Sequence, residues 1–338
     1  MKYLTTTLLL FIFSITFAQT TFKVDNFSKA YYGKIFIEHT SQVFSKGWVS
    51  IYDKKTNKQI IKVESEGLAL NLHNEKALAN IKELPYGEQS LIMYEDYNFD
   101  GIKDFAIYDR QNSHYHWPSF QIYLATKTGF KLSPDFTTLT QDYCGMFYAD
   151  SKEKKLSTMA KSGCCLHQYS EFIVENNKPK VIKIIEDDQM NFPYNKHSEQ
   201  NWDGKKMVVK TKRTIALDEN GIKKILSFNV AKNQKQVVLF NINDRTLNYA
   251  LINKNDEVEF SYPINTVYQN PDFNFDRKNN TVTFKNKDVI YTIYDSNNTI
   301  GITITINGKT YNWTGNKTTK KGELTDITTT PLDNVVVN

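Results

Sequence analysis

The chain has 338 residues, with 42 Lys and Arg against 37 Asp and Glu and a formal net charge of +5. This mild, interspersed balance lacks the long basic block of a nucleic-acid binder, and the runs Lys152-Glu153-Lys154-Lys155 and Lys320-Lys321 read as solvated turns. No stretch reaches the roughly 20 apolar residues of a membrane-spanning helix, and a chain of this length predicts two domains.

Residues 1–18 read as a secretory signal. Lys2 supplies the positive start, Leu8-Leu9-Leu10-Phe11-Ile12-Phe13 the apolar core, and Thr16-Phe17-Ala18 the small residue favoured before cleavage. The mature chain is expected to start at Gln19. No Cys follows the cleavage site, so a lipoprotein anchor is not expected. The product would be exported and soluble, in the periplasm or outside the cell.

Residues 19–195 are expected to form the first domain, on short strands such as Lys34–Ile37, Trp48–Tyr52 and Gln59–Val63, with a turn at Lys54–Asn57. The best helix pattern, a weak one, spans Leu68 to Ile81.

The most informative stretch is Asp96-Tyr97-Asn98-Phe99-Asp100-Gly101-Ile102-Lys103-Asp104. It reads D-x-N-x-D-G-x-x-D. Alternation aims Asp96, Asn98 and Asp100 at one point, and Gly101 permits the sharp turn of an EF-hand-type loop. The Ile102 carbonyl supplies a further oxygen, and Asp104 ligates directly or through water. Every donor is oxygen, which suits a hard cation, and calcium over zinc. The position of the bidentate Glu is Ile107, and the flanks Leu91–Tyr94 and Phe105–Tyr108 are strand-like. The expectation is therefore strand–calcium loop–strand. The competing reading is a metal-free turn, since Asp, Asn and Gly favour turns for backbone reasons.

His114-Tyr115-His116-Trp117 is the only dense His/aromatic group. On a strand His114 and His116 would share a face and could share a metal. Otherwise the group is a polar loop before the strand Phe120–Leu124, or, with Trp117, a recognition loop. Export makes a disulfide plausible among Cys144, Cys164 and Cys165. Adjacent cysteines rarely bridge, so Cys144 is expected to pair with Cys164 or Cys165. A zinc site from Cys164, Cys165 and His167 is disfavoured by poor chelate spacing.

Phe172–Val174 and Val181–Ile185 read as a hairpin turning at Asn176–Pro179, and Glu186–Gly204 as a polar loop or boundary. Residues 196–235 are expected as a linker or bridging strands, 236–326 as a C-terminal β domain and 327–338 as a frayed tail. The clearest element of the C-terminal domain is Ile302–Ile306, Asn307-Gly308, Lys309–Trp313, the strongest short hairpin signal. Asp272-Phe273-Asn274-Phe275-Asp276-Arg277 echoes the loop, but Arg277 replaces the glycine, so it reads as a turn. The fold class is mostly β, antiparallel sheets in two domains with little helix, left open between sandwich, barrel and partial propeller.

The segment Tyr94–Ile107, followed by the strand Phe120–Leu124, resembles a family of exported bacterial proteins sharing a single E-D-x-N-F-D-G-x-x-D-[LF] loop. The loop is also similar to those of FG-GAP/VCBS propeller repeats. The resemblance covers roughly residues 30–190. It implies calcium held by Asp96, Asn98, Asp100, the Ile102 carbonyl and Asp104. Characterised relatives include a periplasmic immunity protein that inhibits a lysozyme-like cell-wall hydrolase. The C-terminal β domain departs from the smaller relatives.

No G-x-S-x-G, H-E-x-x-H, phosphate loop or dinucleotide fingerprint occurs. The expected function is a non-enzymatic exported binding module, possessing a protein partner such as a peptidoglycan hydrolase. The alternative is a binder of envelope glycan, supported by Trp117, Trp202 and Trp313. A glycoside hydrolase with an unrecognised carboxylate pair is the third reading.

Overall fold

The computed structural model describes residues 20–84, 86–264 and 271–338. The expected signal, residues 1–18, lies outside the described residues. The chain is strand-rich, with a single α-helix among the described residues, and its pairings are antiparallel except one. It divides into two compact units. One takes the chain up to Lys161 together with Tyr169–Ile182; the other takes Ser162–Gln168 and Lys183–Asn338.

The first unit opens with a four-stranded meander, β1 (Thr20–Val24), β2 (Tyr31–Ile37), β3 (Ser45–Asp53) and β4 (Gln59–Leu68). Alternating burial along β4 places Ile61, Val63 and Leu68 in the core and leaves lysines and glutamates outside. Gly33 in β2 allows a close approach, because a Cβ there would sit 2.3 Å from Ile92 Cδ1. A second sheet follows in chain order: β5 (Ile92–Glu95), β6 (Asp104–Arg110), β7 (Ser119–Thr126) and β8 (Gly129–Leu132). β6 is buried on both faces from Asp104 to Asp109, which explains its unbroken apolar run at Phe105–Tyr108.

The expected helix at Leu68–Ile81 does not form; beyond Leu68 this segment is irregular. The helix is α1 (Pro134–Asp142). Ser133 before it, Pro134 in its first turn and Asp135 behind the proline are ordinary start signals. Phe136 and Leu139 turn inward. The hydroxyls of Thr140 and Thr137 accept the N–H groups of Phe120 and Ile122 at 2.9 and 3.0 Å, in the part of β7 that β8 does not reach.

The hairpin expected over 172–185 is present as strands Leu166–Glu175 and Lys178–Asp188. Asn176 and Asn177, at φ 53° and 58°, make its two-residue turn. The polar stretch 186–204 is not a loop: its charges lie along Lys178–Asp188 and Tyr194–Trp202, and only 189–193 connects them. Residues 196–235 hold the strands Tyr194–Trp202, Met207–Ile215 and Ile222–Val230, all in the second unit.

The second unit is built on a ten-stranded sheet that includes Ile222–Val230, Gln236–Ile242, Thr246–Ile252 and Val258–Tyr262 towards one edge. Its core gathers Phe228, Tyr249, Phe273, Phe275, Phe284 and Ile302. Asn307 and Gly308 turn at φ 50° and 74°, and Ile306 pairs with Lys309 as the sequence predicts. The stretch 273–276, expected as part of a turn, is instead a strand. It pairs with Val335–Val337, the one parallel pairing, so the expected frayed tail is corrected as well. Leu332 and Asn334 are buried, and the Asn334 side chain bonds both the N–H and the C=O of Leu247 at 2.8 and 3.0 Å.

Candidate metal centre

Glu95 at the end of β5 pairs with Asp104 at the start of β6, so residues 96–103 form the connection. Tyr97 and Phe99 anchor it. Tyr97 is fully buried, its ring edge-on to Phe147 at 5.3 Å between centroids. Phe99 packs against the core with φ at 61°, a left-handed backbone that disfavours bulky residues. Gly101, at φ 90°, meets the same demand without a side chain.

The oxygen side chains are spent on the loop's own N–H groups. Asp96 accepts from Asp100 and Gly101 at 3.2 and 2.8 Å. Asn98 Oδ1 accepts from Asp100 N–H at 3.2 Å, and Asp100 Oδ1 from Ile102 N–H at 2.8 Å. Asn98 Nδ2 donates to Asp100 at 2.9 Å and to Asn177 at 3.0 Å, which joins the loop to the tip of the 166–188 hairpin. Asp104 is fully buried and accepts from Tyr97 and Ala125 N–H groups at 2.8 and 2.7 Å. Burial pushes its carboxyl up to about 6; the two N–H bonds oppose the shift, and the charges of Asp100 and Asp96 add to it.

The donor set is wholly oxygen and carries three carboxyls, which fits a hard cation chemically. The arrangement itself is that of a hydrogen-bonded turn: among the described residues no group of three or more His, Cys, Asp or Glu is drawn together as metal ligands. Ile102 is exposed, with its carbonyl in the loop. Asn177, Tyr97 and Ala125 were not legible as parts of the site. Asn177 is 79 residues from Asn98, and the other two act through backbone N–H groups that any residue supplies.

His114 and His116 lie on a 3-10 turn rather than a strand, so they do not share a face in the way alternation would require. Trp117 packs on Tyr86 with centroids 5.4 Å apart. Lys161 Nζ lies 4.7 Å over the Tyr86 ring and 5.0 Å over that of Tyr115. This leaves an exposed aromatic group around one lysine.

The cysteines also depart from expectation. Cys164 and Cys165 bridge each other, and Cys144 is a buried free thiol. Cys144 sits in the first unit, its N–H bonded to Met159 O at 2.7 Å, whereas the adjacent pair belongs to the second. With both neighbours oxidised, the zinc alternative loses its thiolates.

No protein-family model and no curated protein matches the chain. Among solved structures it is similar to a Xanthomonas type IV secretion system related protein, at 16% identity and a TM-score of 0.46, over 57% of this chain and 94% of that one. It is also similar to TolB from Acinetobacter baumannii, at 8% identity and a TM-score of 0.21, over 87% of this chain and 65% of that one. Likeness at this level carries no functional argument.

Proposed function

We propose that this is an exported, non-enzymatic β protein whose 96–104 loop binds calcium and thereby stiffens a surface that engages a protein partner such as a peptidoglycan hydrolase. The observation that carries the reading is Asp104. A carboxyl with no exposed surface, beside the charges of Asp96 and Asp100, is costly to ionise unless a cation offsets it. The loop's oxygen-only chemistry supports calcium, and the resemblance of Tyr94–Ile107 to exported calcium-loop proteins supports the partner class.

The test is thermal melting of the chain from Gln19 in calcium and in EDTA. Extracellular loops of this kind bind at about 10⁻⁴ M, so about 10 mM calcium is roughly a hundredfold excess over the dissociation constant. Linkage then predicts about 2.7 kcal/mol, a shift on the order of 5–11 °C for a domain near 200 residues. The shift should vanish in Asp100→Ala. Equal melting in both buffers would leave the loop a turn. A panel of muramidases assayed in calcium then tests the partner: inhibition supports it, and full activity throughout removes it.

A second reading, an envelope-glycan binder, is favoured by the exposed rings of Tyr86 and Tyr115 beside Trp117. Retention on insoluble peptidoglycan, lost in Trp117→Ala, would support it. A glycoside hydrolase is the remaining alternative and would reveal itself by release of reducing ends.

A further inference from the structure

The strands of the second unit place in a cavity an arginine that has no acidic partner among the described residues. In the hairpin of Tyr194–Trp202 and Met207–Ile215, Arg213 pairs with Lys196, and Lys196 pairs in turn with Asp188. Tyr194, two residues before Lys196, shares its face. The Arg213 guanidinium carbon lies 4.4 Å from the Tyr194 ring centroid, and Nη2 donates to Ser261 Oγ. Arg213 Nε and Tyr194 Oη are both buried without a hydrogen-bond partner. The tyrosine hydroxyl lies within reach of both Ser261 and Arg213. No acid among the described residues forms an ion pair with Arg213 or Lys196, whereas the nearby Glu259 is taken by Lys235. These groups line a cavity of about 430 Å³, whose wall is completed by Asn191 and by the apolar Phe260, Pro263 and Ile264.

A buried polar atom left unpaired is costly, and both residues that carry one line the same cavity. A guanidinium over an aromatic ring still presents its fork of donors, which recognises a carboxylate or phosphate through paired bonds. Asp188 on the cavity wall disfavours a doubly charged anion. The apolar wall favours a ligand with a hydrophobic body.

We propose that this cavity is a binding site for a small amphiphilic carboxylate. Its head is taken by Arg213, with the Tyr194 hydroxyl and Lys196 assisting, and its body lies against Phe260, Pro263 and Ile264. The site lies wholly in the second unit and is independent of the calcium reading.

The test is calorimetric titration of the chain from Gln19, in EDTA, with benzoate, with the neutral isostere benzamide and with inorganic phosphate. Benzoate should bind saturably, benzamide at least about tenfold more weakly, the loss expected of one charged hydrogen bond, and phosphate should not displace benzoate. Arg213→Met should weaken benzoate roughly ten- to hundredfold, with circular dichroism confirming the fold. Should that variant not fold, Arg213→Lys, which keeps charge and loses the fork, should still weaken binding, and Lys196→Met should weaken it less. Absence of saturable benzoate binding, equal binding of benzamide, or unchanged binding in the folded Arg213 variant would overturn the proposal. Preference for phosphate would overturn the carboxylate assignment.

Discussion

Oδ1 of Asp104 accepts the Ala125 N–H at 2.7 Å, so the last acid of the loop also braces strand β7. Its other oxygen holds Tyr97 N–H at 2.8 Å, inside the loop. One buried carboxyl thus ties the loop to the sheet. Asp100, exposed at the tip, ties only the loop to itself.

That difference predicts unequal losses for two alanine variants. In EDTA, Asp104→Ala orphans two N–H groups and should cost about 2–4 kcal/mol. Asp100→Ala should cost roughly 1 kcal/mol or less, because its bonds are solvent-accessible. Urea denaturation in EDTA measures both. Equal costs would mean that Asp104 is not a brace.

Gly101→Ala isolates the backbone. A Cβ at Gly101 meets nothing within 4 Å, so any penalty is conformational and arises from its φ of 90°. The expected loss is about 1 kcal/mol, by urea denaturation, together with a smaller calcium-dependent rise in melting temperature. An unchanged stability would show that the loop relaxes away from the left-handed turn.

The cysteines predict a thiol count. Without reductant, unfolded protein should give one reactive thiol per chain, and reduction should add the Cys164–Cys165 pair. Burial raises the Cys144 thiol, with the Lys161 backbone and charge opposing the shift. A raised folded value means that the unfolded state ionises first. The stabilisation is therefore complete below the ordinary thiol value, near about 8.5, and fades as pH climbs above it. Cys144→Ala should flatten that part of the curve relative to the parent protein. Alkylation of the native chain should be much slower than in urea.

Asn334→Ala should cost about 2–3 kcal/mol, since it strips partners from both polar groups of buried Leu247 and from Asp272. A change within about 0.5 kcal/mol, the size seen for ordinary surface positions, would show that the tail is only loosely held.

What was legible in the chain is what is local. Asn307-Gly308 sets its turn with two residues, and the 96–104 loop declares its oxygen pattern in nine. The tail was misjudged because its partners, Phe273–Phe275 and Leu247, are 62 or more residues away, and no pattern within 327–338 points to them. Helix α1 was missed because only Phe136 and Leu139 mark its inner face, too short a run to show a period, although Ser133-Pro134-Asp135 was a readable start. The expected pairing of Cys144 followed a general rule about adjacent cysteines, which Cys164 and Cys165 do not obey. The turn-like use of Asp96 and Asp100 is equally legible in the sequence, because the same residue types serve turns and hard cations.

The chain passes between its two units after Lys161, after Gln168 and after Ile182. Neither unit is a continuous segment of the gene. No single stop codon, fusion junction or protease cut therefore separates the units cleanly, because one product always carries residues of both. A fragment spanning 19–195 lacks most of the second unit yet carries its pieces 162–168 and 183–195. A breakpoint after Ile182 moves the first unit whole but carries 162–168 of the second with it, and one after Lys161 moves the second whole but carries 169–182 of the first.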